Sequence, residues 1–182
     1  MEFNILSFCD SESSRYSIDR PWRDGTIVCA TDGRIAIEVH RKHFPFVGKP
    51  EGRVPRFDDI FAPFDRVRFW RPLPALEECE ACGSSGLILE ACEVCKGSGG
   101  CACDCGNEHE CEACDGQGET YSGNDCKICI PTVFGRKVRR FYMNKIAKLP
   151  DPFIGVAGDD PTSVVFFKFT DGRGAVAAYR ED

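Results

Sequence analysis

Residues 92–99 read C-E-V-C-K-G-S-G and residues 111–118 read C-E-A-C-D-G-Q-G, two copies of a Cys-x-x-Cys-x-Gly-x-Gly unit. Outward from them lie Cys79/Cys82, continued by the degraded copy G-S-S-G, and Cys126/Cys129, continued by Ile130 and Pro131 with no glycine. A two-residue spacer lets both thiolates of a pair reach one tetrahedral metal, so two pairs complete a four-thiolate zinc site. The glycines can take positive φ and turn the chain back under the metal without a Cβ clash. Redox chemistry also uses Cys-x-x-Cys, but it expects one pair beside a βαβ pattern, not four in tandem. Eleven cysteines within residues 79–129 would also suit a secreted disulfide framework. Against that, the N-terminal Met-Glu-Phe-Asn-Ile-Leu has neither the basic stretch nor the apolar run of a signal peptide. No window reaches the roughly 18 apolar residues of a membrane span. The expected setting is therefore cytoplasmic and reducing, where dense cysteines mean metal.

Between the two full repeats lies C-A-C-D-C-G-N-E-H-E. Cys101, Cys103, Cys105 and His109 would supply three thiolates and an imidazole for a third zinc, although three ligands within five residues crowd a tetrahedron. A competing assignment joins Cys103/Cys105 to Cys111/Cys114 as a local knuckle, and a third leaves them as free thiols in a loop.

The repeat pattern resembles the cysteine-rich zinc domain of DnaJ-type chaperones over residues 79–129. That resemblance implies that Cys79, Cys82, Cys126 and Cys129 hold an outer zinc and Cys92, Cys95, Cys111 and Cys114 an inner one. It also implies polypeptide binding. The chain lacks the rest of that family's plan. Its three histidines precede Arg41, Phe44 and Glu110, so there is no His-Pro-Asp tripeptide, and no Gly/Phe-rich linker or helical J-domain precedes the cysteines.

Charge divides sharply along the chain. Residues 71–130 carry 12 acidic side chains against Arg71, Lys96 and Lys127, whereas residues 131–182 carry 9 basic and 6 acidic ones. A four-thiolate zinc adds about two further negative charges per site. Such a module repels phosphate backbones and suits either simple solvation or a basic protein partner.

The flanks, 1–76 and 131–182, read as one α+β domain interrupted by a zinc insert at 77–130. Strands are expected at Phe3–Cys9 and Tyr16–Asp19. A hairpin is expected around Asp32-Gly33 within T-I-V-C-A-T-D-G-R-I-A-I-E-V-H, and another at Asp171-Gly172. Both turns read Thr-Asp-Gly-Arg, which hints at an internal duplication. Cys9 and Cys29 read as small buried hydrophobes on these strands. Phe57, Phe61 and Phe64 have the spacing of a core helix face.

Residues 134–150 predict a helix whose stripe Val138, Phe141, Tyr142, Ile146 and Leu149 packs on the sheet, closed by Pro150. Arg136, Lys137, Arg139, Arg140, Lys145 and Lys148 then occupy much of the remainder, a face that is either solvated or a phosphate contact. A helix followed by a final hairpin, together with A-T-D-G-R-I-A-I, resembles half of a DNA sliding-clamp domain. That resemblance implies a shared fold, from which function does not follow.

No paired carboxylates with a partner base, no Ser-His-Asp arrangement, no phosphate-binding loop and no dinucleotide fingerprint is present. His40 and His43 adjoin Arg41 and Lys42 at a strand end, a solvated setting. The chain therefore reads as a non-enzymatic zinc protein whose cysteine-rich module meets another protein, basic or partly unfolded. A nucleic-acid accessory using the clamp-like scaffold and basic helix is the alternative.

Overall fold

The computed structural model describes residues 3–10, 16–102, 108–159 and 164–179. It divides into two compact units, Met1–Leu76 with Pro131–Asp182, and Glu77–Ile130. In chain order the first flank supplies β1 (Trp22–Asp24), β2 (Ile27–Thr31), β3 (Ile35–His40), α1 (Phe57–Phe61) and β4 (Trp70–Pro72). The central unit contributes β5 (Leu87–Ala91), β6 (Gly100–Ala102), β7 (Glu108–Glu110) and β8 (Glu119–Asp125). The second flank adds β9 (Thr132–Val133), β10 (Arg136–Lys137), α2 (Arg140–Ala147), β11 (Phe153–Gly155), β12 (Val165–Phe169) and β13 (Gly172–Val176).

Both flanks build one antiparallel sheet in the order β1-β2-β3-β13-β12-β11-β4. Its alternating residues separate two layers, as the period of two in a strand requires. Val28, Ala30, Ile35, Ile37, Val39, Val165, Phe167 and Val176 face a core closed by Tyr142, Met143 and Ile146 of α2. Cys29, Ala36, Phe166 and Ala175 face the opposite layer, where Trp22, Phe57 and Phe61 lie. Rings there touch in sequence, Trp22 to Phe57 at 5.1 Å and Phe57 to Phe61 at 5.7 Å between centroids.

Several expectations shift against this frame. Phe3–Cys9 is no strand: Ile5–Phe8 is a 3₁₀ turn in which Ile5 and Phe8, three apart, are both buried. The Asn4 Oδ1 accepts the Leu6 N–H at 3.0 Å and starts the turn. Tyr16–Asp19 is also irregular, its amides reaching loop carbonyls such as Arg53 O. Cys29 is buried on β2, and burial first of all pushes its thiol well up. Cys9 follows the 3₁₀ turn, where burial and then Asp19 push its thiol to about 12.

The two Thr-Asp-Gly-Arg turns are used differently. In the β2–β3 hairpin Thr31 pairs with Ala36, so Gly33 and Arg34 form the tip, with Gly33 at φ +86. The Asp32 carboxylate accepts the Arg34 and Ile35 amides at 3.0 Å each and braces it. In the β12–β13 hairpin Phe169 pairs with Gly172, so Thr170 and Asp171 form the tip and Gly172-Arg173 already lie in the strand. The shared tetrapeptide therefore carries no shared register. The helix expected over 134–150 begins only at Arg140. Phe134 and Gly135, both at positive φ, instead close the β9–β10 hairpin. The stripe survives in part, since Val138, Tyr142, Ile146 and Leu149 are buried. Among the described residues no helix is long and apolar enough to cross a membrane.

A Cβ at Gly174 would stand 1.9 Å from Cζ of Phe167, its cross-strand partner. The ring lies over the glycine. Gly174→Ala should therefore destabilise the folded chain by about 2 kcal/mol or more in urea unfolding. Adding Phe167→Leu should recover part of that loss, and an unchanged midpoint for the single variant would refute the packing argument.

Candidate metal centres

The eight thiols of the four pairs gather as two sets. Cys79, Cys82, Cys126 and Cys129 form one, Cys92, Cys95, Cys111 and Cys114 the other, with all sulfurs of a set within 4.8 Å of one another. Across the pairs the sulfurs stand 3.9 Å apart for Cys79–Cys126, 3.5 Å for Cys82–Cys129, 3.9 Å for Cys92–Cys111 and 3.7 Å for Cys95–Cys114. A disulfide requires about 2.05 Å. Four sulfurs around a tetrahedral ion at about 2.3 Å would stand about 3.8 Å apart. These separations suit a metal ion in each set and are well beyond the length of a disulfide bond.

Backbone shape explains the glycines. After the second cysteine, Lys96 and Gly97 take φ +53 and +87, then Gly99 +76; Asp115, Gly116 and Gly118 repeat this at +46, +74 and +77. The degraded copy keeps the same path, with Gly83 at +54, Ser84 at +64 and Gly86 at +85. The last glycine aims its own N–H at the preceding thiolate: Gly86 reaches Cys82 Sγ at 3.4 Å and Gly118 reaches Cys114 Sγ at 3.2 Å. Its carbonyl then accepts the first cysteine amide of the partner pair. Cys92 N–H donates to Gly118 O and Cys111 N–H to Gly99 O, both at 2.8 Å, and Cys126 N–H to Gly86 O at 2.9 Å. The fourth pair has no glycine to return this bond, and Ser84 Oγ accepts the Cys79 N–H instead, at 2.9 Å. Motif reading missed the role of Ser84. Aligning G-S-S-G under K-G-S-G sets Ser84 against Gly97, and only the folded backbone brings its hydroxyl to the Cys79 N–H.

The electrostatics of the quartets are compatible with a cation at each centre. Burial pushes the Cys95 thiol up, but the Gly99 and Gly97 amides and neighbouring sulfurs outweigh it and hold it near about 6. Cys82 is held near about 7 in the same way, burial opposing and the Gly86 amide leading the decrease. Burial pushes Cys114 to about 12, its sulfur neighbours adding to the rise. One thiolate in a quartet thus discourages the next, and a dication at the centre is what allows all four to ionise.

Of the remaining nominated ligands, Cys103 and Cys105 lie outside the described residues. The Cys101 backbone pairs with His109 across β6–β7. The basic residues placed on the helix are largely engaged elsewhere. Arg136 is 2% exposed and donates to Phe134 O at 3.0 Å and to Gly158 O. Arg140 is buried, and Arg139 lies 5.6 Å from the Tyr179 ring centre. Lys145 contacts Asp32 at 3.5 Å and lies 4.4 Å from the Phe141 ring centre, and burial lowers its ammonium below the usual range. Lys137 and Lys148 are exposed.

A Cβ at Gly118 would lie 2.5 Å from Gly97 O, at a φ that already disfavours one. Gly118→Ala should weaken the inner site by about 10–100-fold, so that its metal leaves first in a chelator titration. Simultaneous release of both metals would contradict this. Compared with protein-family models, curated proteins and solved structures, the chain matches none of them.

Proposed function

We propose that this is a non-enzymatic protein carrying two structural zinc ions in residues 77–130, a module that presents a surface to another polypeptide. One observation carries the zinc reading. Among the described residues of that unit, every buried hydrophobic side chain is a cysteine. Apart from those thiols, and Ile88 packed against one set, the described residues of the unit form no core, so metal binding, worth about 10–16 kcal/mol per site in small modules, would supply the folding energy. Each quartet is already a full tetrahedral set, leaving no position for a substrate or an activated water. Thiolate sulfur selects zinc over hard cations. The DnaJ-like spacing agrees with this assignment.

The polypeptide reading is supported by what the module leaves uncovered. Leu89 and Tyr121 oppose each other on the two-stranded β5–β8 ribbon, 42% and 59% exposed, and Ile128 is 80% exposed. Opposed cross-strand residues share a face. Residues 77–130 hold 12 acidic and two basic side chains, a surround that favours a basic, apolar segment over a nucleic acid. The cytoplasmic, reducing setting belongs to the same reading. The clamp-like alternative, with nucleic acid on the basic helix, is weaker because Arg136 and Arg140 are buried and Lys145 is paired.

Purified protein should contain two zinc ions per chain by elemental analysis. A chelator should collapse the amide dispersion of residues 77–130 while leaving the seven-stranded sheet protected from exchange. Less than one zinc, or disulfides in its place, would end the proposal. The partner claim is tested with the intact zinc-loaded chain and a basic, leucine- and phenylalanine-containing peptide. Leu89→Ser with Tyr121→Ser should weaken capture by about tenfold, roughly 1.4 kcal/mol, at unchanged zinc content. Equal capture by the variant, or none by the parent chain, would refute it.

A further inference from the structure

At the β4 edge of the sheet lies a cleft of about 870 Å³ that the reading above leaves unused. Four guanidiniums line it, from Arg66, Arg68, Arg71 and Arg136, together with the rings of Phe69 and Phe134. Two carboxylates, Asp65 and Asp159, leave the wall net positive. Arg66, Arg68 and Arg71 are exposed, and among the described residues none of them has a carboxylate within ion-pair distance. Arg136 is the fixed part of the wall, buried and holding Phe134 O and Gly158 O. The Arg71 guanidinium lies 5.2 Å from the Phe134 ring centre, an arrangement that keeps its donor edges available. Phe69 is 75% exposed beside these arginines and packs in neither core layer.

Clustered arginines fit phosphate oxygens in a way that lysines do not, because the planar fork donates two parallel hydrogen bonds. An exposed ring next to such a cluster offers a base a face on which to stack, at about 1–3 kcal/mol per base. We propose that this cleft binds a nucleoside phosphate, either free or within a single strand, with Arg66, Arg68 and Arg71 on the phosphates and Phe69 under the base. The site lies wholly within the unit that contains the sheet, and it does not depend on the zinc-module reading.

The probes are an end-labelled oligothymidylate of about ten nucleotides and ATP, each added to the full-length zinc-loaded chain. Binding should appear at low salt and fall steeply as salt rises. Phe69→Ala and Arg68→Glu should each weaken it by about tenfold. Both side chains are exposed, so the melting temperature should stay the same. Lys148→Glu, at the C-terminal cap of α2, and Leu89→Ser with Tyr121→Ser, on the cysteine-rich module, should leave this binding unchanged. ATP that displaces the oligonucleotide identifies a free nucleotide as sufficient; displacement only by a second strand identifies a strand ligand. Either result supports the site. No binding of either probe at low salt, or Phe69→Ala and Arg68→Glu variants that bind like the parent chain, would overturn it.

Discussion

The pairing of β13 with strands on both sides is the contact on which the rest of the first unit depends. Val176 to Gly172 pairs with Ile35 to Val39 on one side and with Val165 to Phe169 on the other. The last strand of the chain therefore joins the first flank to the second. Without it, β1-β2-β3 and β12-β11-β4 would be separate ribbons, each with an open edge and half a core. The strand's composition follows from this central position. Gly172 and Gly174 have no side chains, and the rings of Phe169 and Phe167 occupy that space, which lets large aromatics lie flat against the middle of the sheet. A strand that closes the sheet at the end of the sequence also makes the fold one of distant contacts, with residues 35–39 meeting 172–176.

The second unit solves the opposite problem. It has too little apolar material to bury, and its two-stranded pairs β5–β8 and β6–β7 would be marginal alone. Two four-cysteine groups that could each hold a metal ion stand where a hydrophobic core would be, and the backbone geometry arranges their sulfurs. Positive φ angles turn each knuckle so that glycine amides point at sulfur, and glycine carbonyls tie each pair to its partner. The fourth pair lacks this device, and the first pair's own Ser84 hydroxyl accepts the Cys79 N–H in place of a glycine carbonyl.

Positive charge is divided between two uses. Some of it is structural. Arg173 meets the buried Glu38 at 2.6 Å and lies 4.6 Å from the Phe61 ring centre, while Lys145 holds the Asp32 hairpin tip. Burial raises the Glu38 carboxyl, and Arg173 opposes that rise. Such pairs cost desolvation and contribute register more than net stability. The remaining charge is displayed, and Arg66, Arg68 and Arg71 stand together without a carboxylate partner among the described residues. The acidic unit and the arginine cleft thus suit partners of opposite charge.

How far the sequence could be read depended on the range of the interactions. The Cys-x-x-Cys spacing and its glycines are local, so the candidate thiol pairs were legible from residues two to seven apart, whereas the joining of pairs 19 and 47 residues apart is a matter of the fold. The Thr-Asp-Gly-Arg strings located both hairpins for the same reason, and the periodicity of Tyr142, Ile146 and Leu149 located α2. Register was not legible: identical tetrapeptides put their tips at Gly33-Arg34 and Thr170-Asp171, because cross-strand partners decide where a turn closes. The start of α2 was misplaced because Phe134-Gly135 closes a hairpin whose other strand precedes it. Ile5 and Phe8 mimicked a strand until the Asn4 cap and the core behind them selected a 3₁₀ turn. The fate of the basic residues was decided last of all. Arg136 and Lys145 read as a solvated face in one dimension, and only the folded chain brought Gly158 and Asp32 to them, leaving Arg66, Arg68, Phe69 and Arg71 gathered at one cleft.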